Sequence, residues 1–315
     1  MNLDYTELTK GISKDNLCLN YLEHEASYNS GTEKFTLKGV NKLELYLNER
    51  TSEIKLKANF PYFWQGHNFN FKKSQLIEAI QYTSEMLNLN LFDAEISSFE
   101  FGTILQTEKP PEEILLNHIS YKSKPLQPYY NRNKLSGKYY SSSTFIHKLY
   151  DAGKNIKNKL AEGIKADLAN FYDYDKAKHY LKVENHYKKP EAHFNRKALF
   201  VNDVISDSFL IQCKTELIQT YKEIMKTGII NLPKDKKDIN SSTIPLIVLK
   251  ELEALYHFNA DDLLRQRIKS TPETILTKED KKARRRQIES NLKKIELAGV
   301  SEYDLLKQLE SKEIC

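Results

Sequence analysis

A change of hydrophobic period along the chain limits its fold more than any other feature of the sequence. In residues 33–60 apolar and polar residues alternate, which predicts a strand hairpin or meander. Residues 74–89 change to the spacing of an amphipathic helix with Ser74 as its N-cap, and residues 94–106 return to strand character. This order, followed mainly by helices, predicts an α+β fold with a sheet domain at 1–205 and a helical, basic domain at 206–315.

The remaining segments complete this outline. A Pro-Pro-Glu-Glu sequence at residues 110–113 predicts the start of a helix, because proline and acids suit a first turn. Residues 121–143 are rich in Tyr, Ser and Lys and are interpreted as a loop. A helix is expected at 151–171 and a short strand at 180–187. The helices predicted after residue 201 are 208–225, 243–256, 261–267, 278–297 and 301–309.

Composition excludes several classes of protein. The three cysteines, Cys18, Cys213 and Cys315, form no close pair, which argues against a disulfide scaffold or a Cys-rich zinc site and indicates a reducing compartment. No apolar run approaches the roughly 18 residues of a membrane span, and no secretory signal is recognisable. We therefore expect a cytoplasmic protein without a membrane partner.

Charge is distributed unevenly along the chain. The formal net charge is only +5, yet residues 278–294 hold eight basic residues and three acids. A second basic stretch, residues 122–159, has tyrosines among its charges. Lysine and arginine neutralise phosphates, and aromatic rings stack on unpaired bases, so these segments favour a nucleic-acid partner. A basic helix that is merely solvated remains the alternative.

Three side chains are candidate ligands of a divalent cation. Glu100 and Glu184 each lie within an otherwise apolar strand sequence, where a carboxylate needs a partner or a cation. His67 follows a glycine at an expected strand end. Together the three predict a Mg²⁺ or Mn²⁺ site, with His186 as a reserve ligand because it shares a strand face with Glu184. Salt bridges to neighbouring lysines are the alternative for both glutamates.

Tyr150 is a candidate nucleophile. A tyrosine hydroxyl can attack a phosphodiester and hold the product as a phosphotyrosine ester. Lys148 and Lys154, in the same segment, would lower the pKa of the phenol or stabilise the charge that develops on the phosphate. Because the chain has 19 tyrosines, this chemistry alone does not select Tyr150.

Five segments resemble, in the same order, those of the filamentous-phage replication initiators of the gene II and gene X type. Tyr150 falls where that family carries its nucleophilic tyrosine, and Glu100 falls on the aspartate of an Arg-x-Asp-type strand motif. Ser98 stands in place of the arginine of that motif, and Lys154 is displaced from the position directly after the tyrosine. The five segments are residues 54–68, 91–100, 145–154, 181–189 and 284–301.

The resemblance implies a rolling-circle initiator, a metal-dependent endonuclease of HUH-like type with an antiparallel sheet and helices on one face. It would nick one strand of double-stranded origin DNA through Tyr150, helped by Lys154, and later rejoin the displaced single strand. His67, Glu100 and Glu184 would be the metal ligands, and the host polymerase and helicase would be partners in the host cytoplasm. The expected DNA-binding residues are Lys148, Lys188, Lys189, Lys281, Lys282, Arg284, Arg285 and Arg286.

Other functions stay open at this point. A DNA-binding replication regulator would keep the fold without nicking, and a plasmid-type initiator or a conjugative relaxase would share the chemistry. A basic α+β protein without catalysis is a further alternative. Within the nicking hypothesis, Tyr139 and Tyr140 are candidates for a second tyrosine that acts in termination.

Overall fold

A computed structural model of the chain describes residues 2–12, 16–28, 31–38, 40–153, 163–165, 178–226, 230–231, 239–256, 260–292, 296–297 and 304–314. The strands in these ranges are β1 (Asn2–Gly11), β2 (Leu22–Tyr28), β3 (Thr32–Leu37), β4 (Val40–Asn48), β5 (Glu53–Asn59), β6 (Glu95–Thr107), β7 (His118–Tyr121), β8 (Lys124–Pro125), β9 (Gln127–Asn131), β10 (Lys134–Ser141), β11 (Phe145–Asp151), β12 (His179–Tyr187), β13 (Ile224–Lys226), β14 (Ile230–Asn231) and β15 (Glu296–Leu297). The helices there are α1 (Phe60–Gln65), α2 (Lys73–Leu87), α3 (Pro111–Asn117), α4 (Pro190–His193), α5 (Val201–Val204), α6 (Asp207–Lys222), α7 (Ile244–Tyr256), α8 (Ala260–Ser270), α9 (Lys278–Leu292) and α10 (Leu306–Ser311).

Ten of these strands form one antiparallel sheet in the order β2-β3-β4-β5-β1-β6-β12-β11-β10-β9. The α+β class is therefore confirmed, as is the meander predicted at residues 33–60, which is β3, β4 and β5. The strands predicted at 94–106 and 180–187 are β6 and β12, which pair along their length. Strand β1 lies in the middle of the sheet, hydrogen-bonded to β5 on one side and β6 on the other.

The two faces of the central strands differ in chemistry. Phe99 on β6 and Tyr187 on β12 project to one face, where their rings lie 4.7 Å apart, and Phe99 also packs at 6.0 Å on Phe209 of α6. Because side chains alternate along a strand, Glu100 and His186 project to the opposite face. We call this second face, which also carries Lys57 of β5, Glu184 of β12 and Lys148 of β11, the polar face.

The loop predicted at 121–143 is wrong, because that segment holds β8, β9 and β10. All five residues of β9 are exposed, so the strand has no apolar alternation to reveal it. It lies at the edge of the sheet, where one neighbour and the β-propensity of tyrosine are sufficient to hold it extended. The ends of the predicted helices also differ from those in the structure. Helix α2, for example, begins one residue before Ser74, and its N-cap is Lys72.

Contacts between residues divide the chain into two compact units. The first comprises Met1–Leu115, Tyr121–Glu223 and Leu305–Cys315, and the second comprises Leu116–Ser120 and Ile224–Asp304. The first unit holds the ten-stranded sheet, and the second holds α7, α8 and α9. The expected division between residues 205 and 206 lies within the first unit, just before α6.

None of the helices in the described ranges is long and apolar enough to cross a membrane. Most of the helix predicted at 151–171 lies outside the described residues.

Candidate active site on the polar face

Strand register brings the predicted site residues of distant segments together. On β11 and β12, Lys148 is directly opposite Glu184, and Tyr150 is directly opposite Lys182. On β12 and β6, His186 is opposite Glu100. Side chains opposite each other in an antiparallel pair share a face, so Tyr150, Glu100 and Glu184 lie on the same face of the sheet.

A third carboxylate, Asp4 of β1, completes the centre of the site. Asp4, Glu100 and Glu184 each offer an oxygen atom, and the three oxygens lie within 4.8 Å of one another. Asp4 is 2% exposed and Glu184 is 1% exposed, so both carboxylates are withdrawn from water. A β-bulge between Leu3 and Thr6 of β1 displaces the register beside Asp4.

Two lysines bind these carboxylates. Lys148 Nζ lies 2.6 Å from Glu100 Oε1 and 3.0 Å from Glu184 Oε1. Lys182 Nζ donates to Asp4 Oδ2 and lies 2.6 Å from Glu184 Oε2. Three carboxylates therefore face two ammonium groups, which leaves one negative charge uncompensated within this group, here called the carboxylate cluster: Asp4, Glu100, Lys148, Lys182 and Glu184.

Electrostatics separate the two glutamates. Burial opposes ionisation of Glu184, but Lys182 and Lys148 outweigh it and lower the pKa of this carboxyl to about 2. Burial raises the pKa of Glu100, and the negative charge of Glu184 raises it further, against the opposing effect of Lys148. Glu184 is thus the firmly ionised centre of the cluster, and Glu100 is the carboxyl that protonates more readily.

Tyr150 is bonded directly to the cluster. Its hydroxyl donates a hydrogen bond to Glu184 Oε2 at 3.2 Å, and Lys182 Nζ lies 5.7 Å from the centre of its ring. Burial and the charge of Glu184 raise the pKa of the phenol well above its ordinary value, while Lys182 acts in the opposite direction. The phenol is therefore protonated at neutral pH and is oriented by the carboxylate it donates to.

A glycine permits the close packing of Glu184. Gly102 of β6 is opposite Glu184 of β12. A Cβ at residue 102 would lie 2.5 Å from the carbonyl oxygen of Val183 and 2.6 Å from Cβ of Glu184. Any larger residue would displace Glu184, so the glycine allows this carboxylate to stand between the two lysines.

His67, an expected metal ligand, does not belong to the group of neighbouring ligand atoms found among the described residues. Helix α1 ends at Gly66, whose positive φ of 78° turns the chain sharply. The His67 ring nitrogen Nδ1 lies 3.1 Å from Nε2 of Gln65. The next residue, Asn68, donates from Nδ2 to Asp4 Oδ2 at 3.1 Å. The expected strand end before His67 is wrong, because Gly66 instead ends helix α1. The turn there brings the amide of Asn68 to Asp4, which provides the third acidic oxygen.

The reserve ligand His186 also contacts the cluster. Its Nδ1 lies 3.4 Å from Glu100 Oε1, and its Nε2 lies 2.8 Å from Oγ of Ser98. Ser98, which the resemblance to the phage initiators would align with an arginine, contacts the imidazole here. Burial and the charge of Lys148 lower the pKa of His186 to about 4, so the ring is neutral at pH 7.

The expected DNA-binding residues occupy different environments. Lys148 belongs to the cluster, with 24% of its side chain exposed. After β12, Lys188 donates to the carbonyl of Ser142, while Lys189 is exposed. On α9 four of the five predicted residues are exposed and Lys281 is half-buried; the exposed ones are Lys282, Arg284, Arg285 and Arg286. Lys154 lies outside the described residues.

The residues of the cluster fit a hard divalent cation. Carboxylate oxygens are the ligands that Mg²⁺ and Mn²⁺ prefer, and the cluster carries an excess negative charge. Oδ1 of the buried Asp4 has no hydrogen-bond partner among the residues that the structure describes, and an orphaned buried oxygen is costly. A cation at Asp4, Glu100 and Glu184 would satisfy this atom. Lys148 and Lys182 contact the same carboxylates, so a bound cation would share these carboxylates with the two lysines.

Two members of the cluster are absent from the sequence prediction. Asp4 lies in a stretch with no assigned role, and no local pattern separates it from Glu7, the other acid of β1. Lys182 lies in the predicted strand with Glu184, two residues apart and therefore on the same face.

In comparisons with known proteins, no family model, curated protein or solved structure matches this chain.

Proposed function

We propose that the protein is a metal-dependent DNA-nicking and strand-joining enzyme that initiates rolling-circle replication, with Tyr150 as its nucleophile. The observation that carries the proposal is the hydrogen bond from the Tyr150 hydroxyl to Glu184, at the centre of a cluster with three carboxylates and two lysines. The ordered resemblance of five segments to the gene II and gene X initiators supports the same reaction.

The chemistry is a transesterification. Oη of Tyr150 attacks a backbone phosphorus atom, the tyrosine–phosphate bond forms, and the bond from phosphorus to the 3′ oxygen breaks. The phenol proton leaves through the hydrogen bond to Glu184 and ends on the released 3′-hydroxyl. One phosphodiester replaces another, so the reverse attack by a 3′-hydroxyl rejoins the strand.

The cluster supplies the electrostatics of this step. The ammonium of Lys182 stabilises the negative charge of the phenolate, because it lies 5.7 Å from the centre of the Tyr150 ring. Lys148, partly exposed beside Glu100, can contact a phosphate oxygen. A Mg²⁺ or Mn²⁺ ion held by Asp4, Glu100 and Glu184 would act as a Lewis acid on the phosphate.

Helix α9 supports the duplex-binding part of the proposal. Its exposed basic residues are Lys282 and Arg284–Arg286, and no acid lies between residues 282 and 286. Such a helix attracts the phosphates of double-stranded DNA without reading the bases. Sequence recognition at an origin requires further contacts to base edges.

The test is detection of a covalent protein–DNA adduct. The full chain is incubated with Mn²⁺ and a single-stranded DNA library with a random central region, and SDS-resistant complexes are mapped by mass spectrometry. We expect an adduct on Tyr150 that disappears in Tyr150→Phe, which removes only the hydroxyl. Tyr46→Phe, on the polar face over β4, is the matched control and should retain the adduct.

Two results would contradict the proposal. An adduct that persists in Tyr150→Phe and maps to another tyrosine would remove Tyr150 as the nucleophile. Absence of any adduct from the wild-type chain, both with the library and with supercoiled plasmids that carry initiator-type origins, would remove the nicking activity.

A DNA-binding regulator without nicking is the second candidate function. It is favoured by the fact that each cluster lysine already contacts two carboxylates, as in a purely structural ion-pair network. This candidate predicts salt-dependent duplex binding through α9, no adduct, and no change in DNA binding for Tyr150→Phe.

A further inference from the structure

Tyr129, which the sequence analysis did not assign to the site, stands in one row with Tyr150. On β9 and β10, Tyr129 is directly opposite Gly137, and on β10 and β11 Gly137 is directly opposite Tyr150. The three residues therefore project to the same face of three adjacent strands. Only a glycine, with no side chain, separates the two tyrosines.

The ring of Tyr129 lies over that glycine. A Cβ built on Gly137 would lie 2.1 Å from Cζ of Tyr129 and 2.2 Å from its Oη. These atoms form the far end of the side chain, so the ring leaves the edge strand β9 and leans across β10 toward β11. Any other residue at position 137 would lift the ring away from Tyr150.

The phenol of Tyr129 lies within the electrostatic range of the cluster. Burial raises its pKa, and the negative charges of Glu184 and Asp151 raise it further. At the same time 37% of Tyr129 is exposed, so the ring is supported from below and open to solvent. The Tyr139 ring, on the same face, lies 6.5 Å from it at an angle of 43°.

A supported, open aromatic ring beside a phosphate-cleaving site has the features of a stacking surface for a nucleic-acid base. Every base has a π-face, so such a ring binds single strands with little sequence preference. Bases within a duplex are stacked on their neighbours and cannot use it. Tyr140, by contrast, packs its ring 4.7 Å from Tyr121 and 6.0 Å from Phe145.

We propose that Tyr129, laid across Gly137, is a wall of the Tyr150 site on which an unpaired base of the substrate strand stacks, so that the site takes single-stranded DNA. The inference rests on the proposed function for the identity of the site. It assigns the role to the ring of Tyr129 and not to its hydroxyl, which distinguishes it from a second nucleophile.

The test measures binding without cleavage. The full chain, in EDTA, is titrated with a fluorescein-labelled oligothymidylate and, separately, with a labelled duplex of equal length, and fluorescence anisotropy gives Kd. We expect Tyr129→Ala to weaken single-strand binding about 10-fold, with duplex binding unchanged. Tyr129→Phe should bind as the wild type does, because the ring remains.

Two further variants sharpen the test. Gly137→Ala, which displaces the ring and leaves its chemistry intact, should weaken single-strand binding as Tyr129→Ala does. Tyr46→Ala is the matched control, since Tyr46 is a half-buried tyrosine on the polar face over β4, and it should not change Kd. Circular dichroism and the melting temperature check that each variant is folded.

Several outcomes would overturn the inference. It is wrong if Tyr129→Ala, folded, binds the oligothymidylate as tightly as the wild type. Equal weakening by Tyr129→Phe and Tyr129→Ala would assign the effect to the hydroxyl and likewise reject stacking. Because no cleavage occurs in EDTA, a Tyr129-dependent Kd in a chain that never forms an adduct would separate failure of the nicking proposal from failure of this one.

Discussion

The lysines of the carboxylate cluster and the basic residues of helix α9 carry the same charge in opposite settings. The side chain of Lys182 is 5% exposed and contacts Asp4 and Glu184, whereas Arg285 and Arg286 project into solvent. Solvent and salt screen an exposed charge, so α9 can attract a polyanion only in a general way. A buried ammonium is fixed by its partners and acts on particular atoms, so burial changes what one residue type does.

The largest effect on stability is expected from removal of the buried ammonium group of Lys182. Lys182→Met leaves Asp4 and Glu184 without their shared partner, which should lower the free energy of unfolding by about 3–5 kcal/mol. Urea denaturation measures the change, and Arg285→Met on α9 is the control, with a change within about 0.5 kcal/mol. If Lys182→Met and Arg285→Met lower the free energy of unfolding equally, the contrast between the carboxylate cluster and helix α9 is incorrect.

The buried His147 of β11 should make the stability of the protein depend on pH. Burial lowers the pKa of His147 to about 4, below the value of about 6.5 in an unfolded chain. The unfolded chain therefore binds the proton more readily, so this contribution is complete above pH 6.5 and is lost as the pH falls toward 4. The full pKa shift of His147 corresponds to about 3 kcal/mol in the free energy of unfolding.

The comparison of wild type with His147→Gln, by urea denaturation at pH 7 and pH 4.5, isolates this contribution. The stability of the variant should fall less than that of the wild type between the two pH values. An equal fall in both proteins would show that His147 titrates normally and is not held in a dry environment.

Affinity for Mn²⁺ distinguishes the carboxylate cluster from other acids on the polar face. Asp4→Asn removes the charge and retains the shape, and should weaken Mn²⁺ binding at least about 10-fold by isothermal titration calorimetry. Glu44→Gln is the matched control, because Glu44 is also on the polar face but pairs with Lys34 over β3 and β4. Equal Mn²⁺ affinity in Asp4→Asn and wild type would remove Asp4 from the ligand set.

The smallest effect per residue is expected on α9. Replacement of Arg284, Arg285 and Arg286 by glutamine should reduce the dependence of log K on log salt for duplex DNA by about 2–3. The melting temperature and the adduct yield on single-stranded DNA should stay as in the wild type. A lower adduct yield on single-stranded DNA would show that α9 takes part in the chemical step, which would contradict the contrast between α9 and the carboxylate cluster.

Local pattern was sufficient for part of the fold and part of the site. Alternation predicted β3 to β6 and β12, and the strand positions of Glu100 and Glu184 followed from it. Tyr150 depended on the family resemblance, because local chemistry does not separate one tyrosine from 19.

The parts that the sequence did not predict depend on pairing between distant strands. Asp4 became a site residue only because β1 pairs with β6, which no local pattern encodes. Strand β9 was missed because an edge strand needs no buried face, and its neighbour β10 was missed because its burial does not alternate. Tyr129 reaches the site through a glycine on another strand, which is visible only in the register.

The central place of β1 has a consequence for the order of folding. Asp4 and Lys182 are 178 positions apart in sequence and adjacent in the sheet. During synthesis β1 can pair with β5 early, but its other edge waits for β6, and the cluster waits until β12 has left the ribosome. A nascent chain stopped after β11 would carry Tyr150 without Glu184 and Lys182. Incomplete chains would therefore carry the Tyr150 phenol without the carboxylate and the ammonium that contact it in the complete sheet.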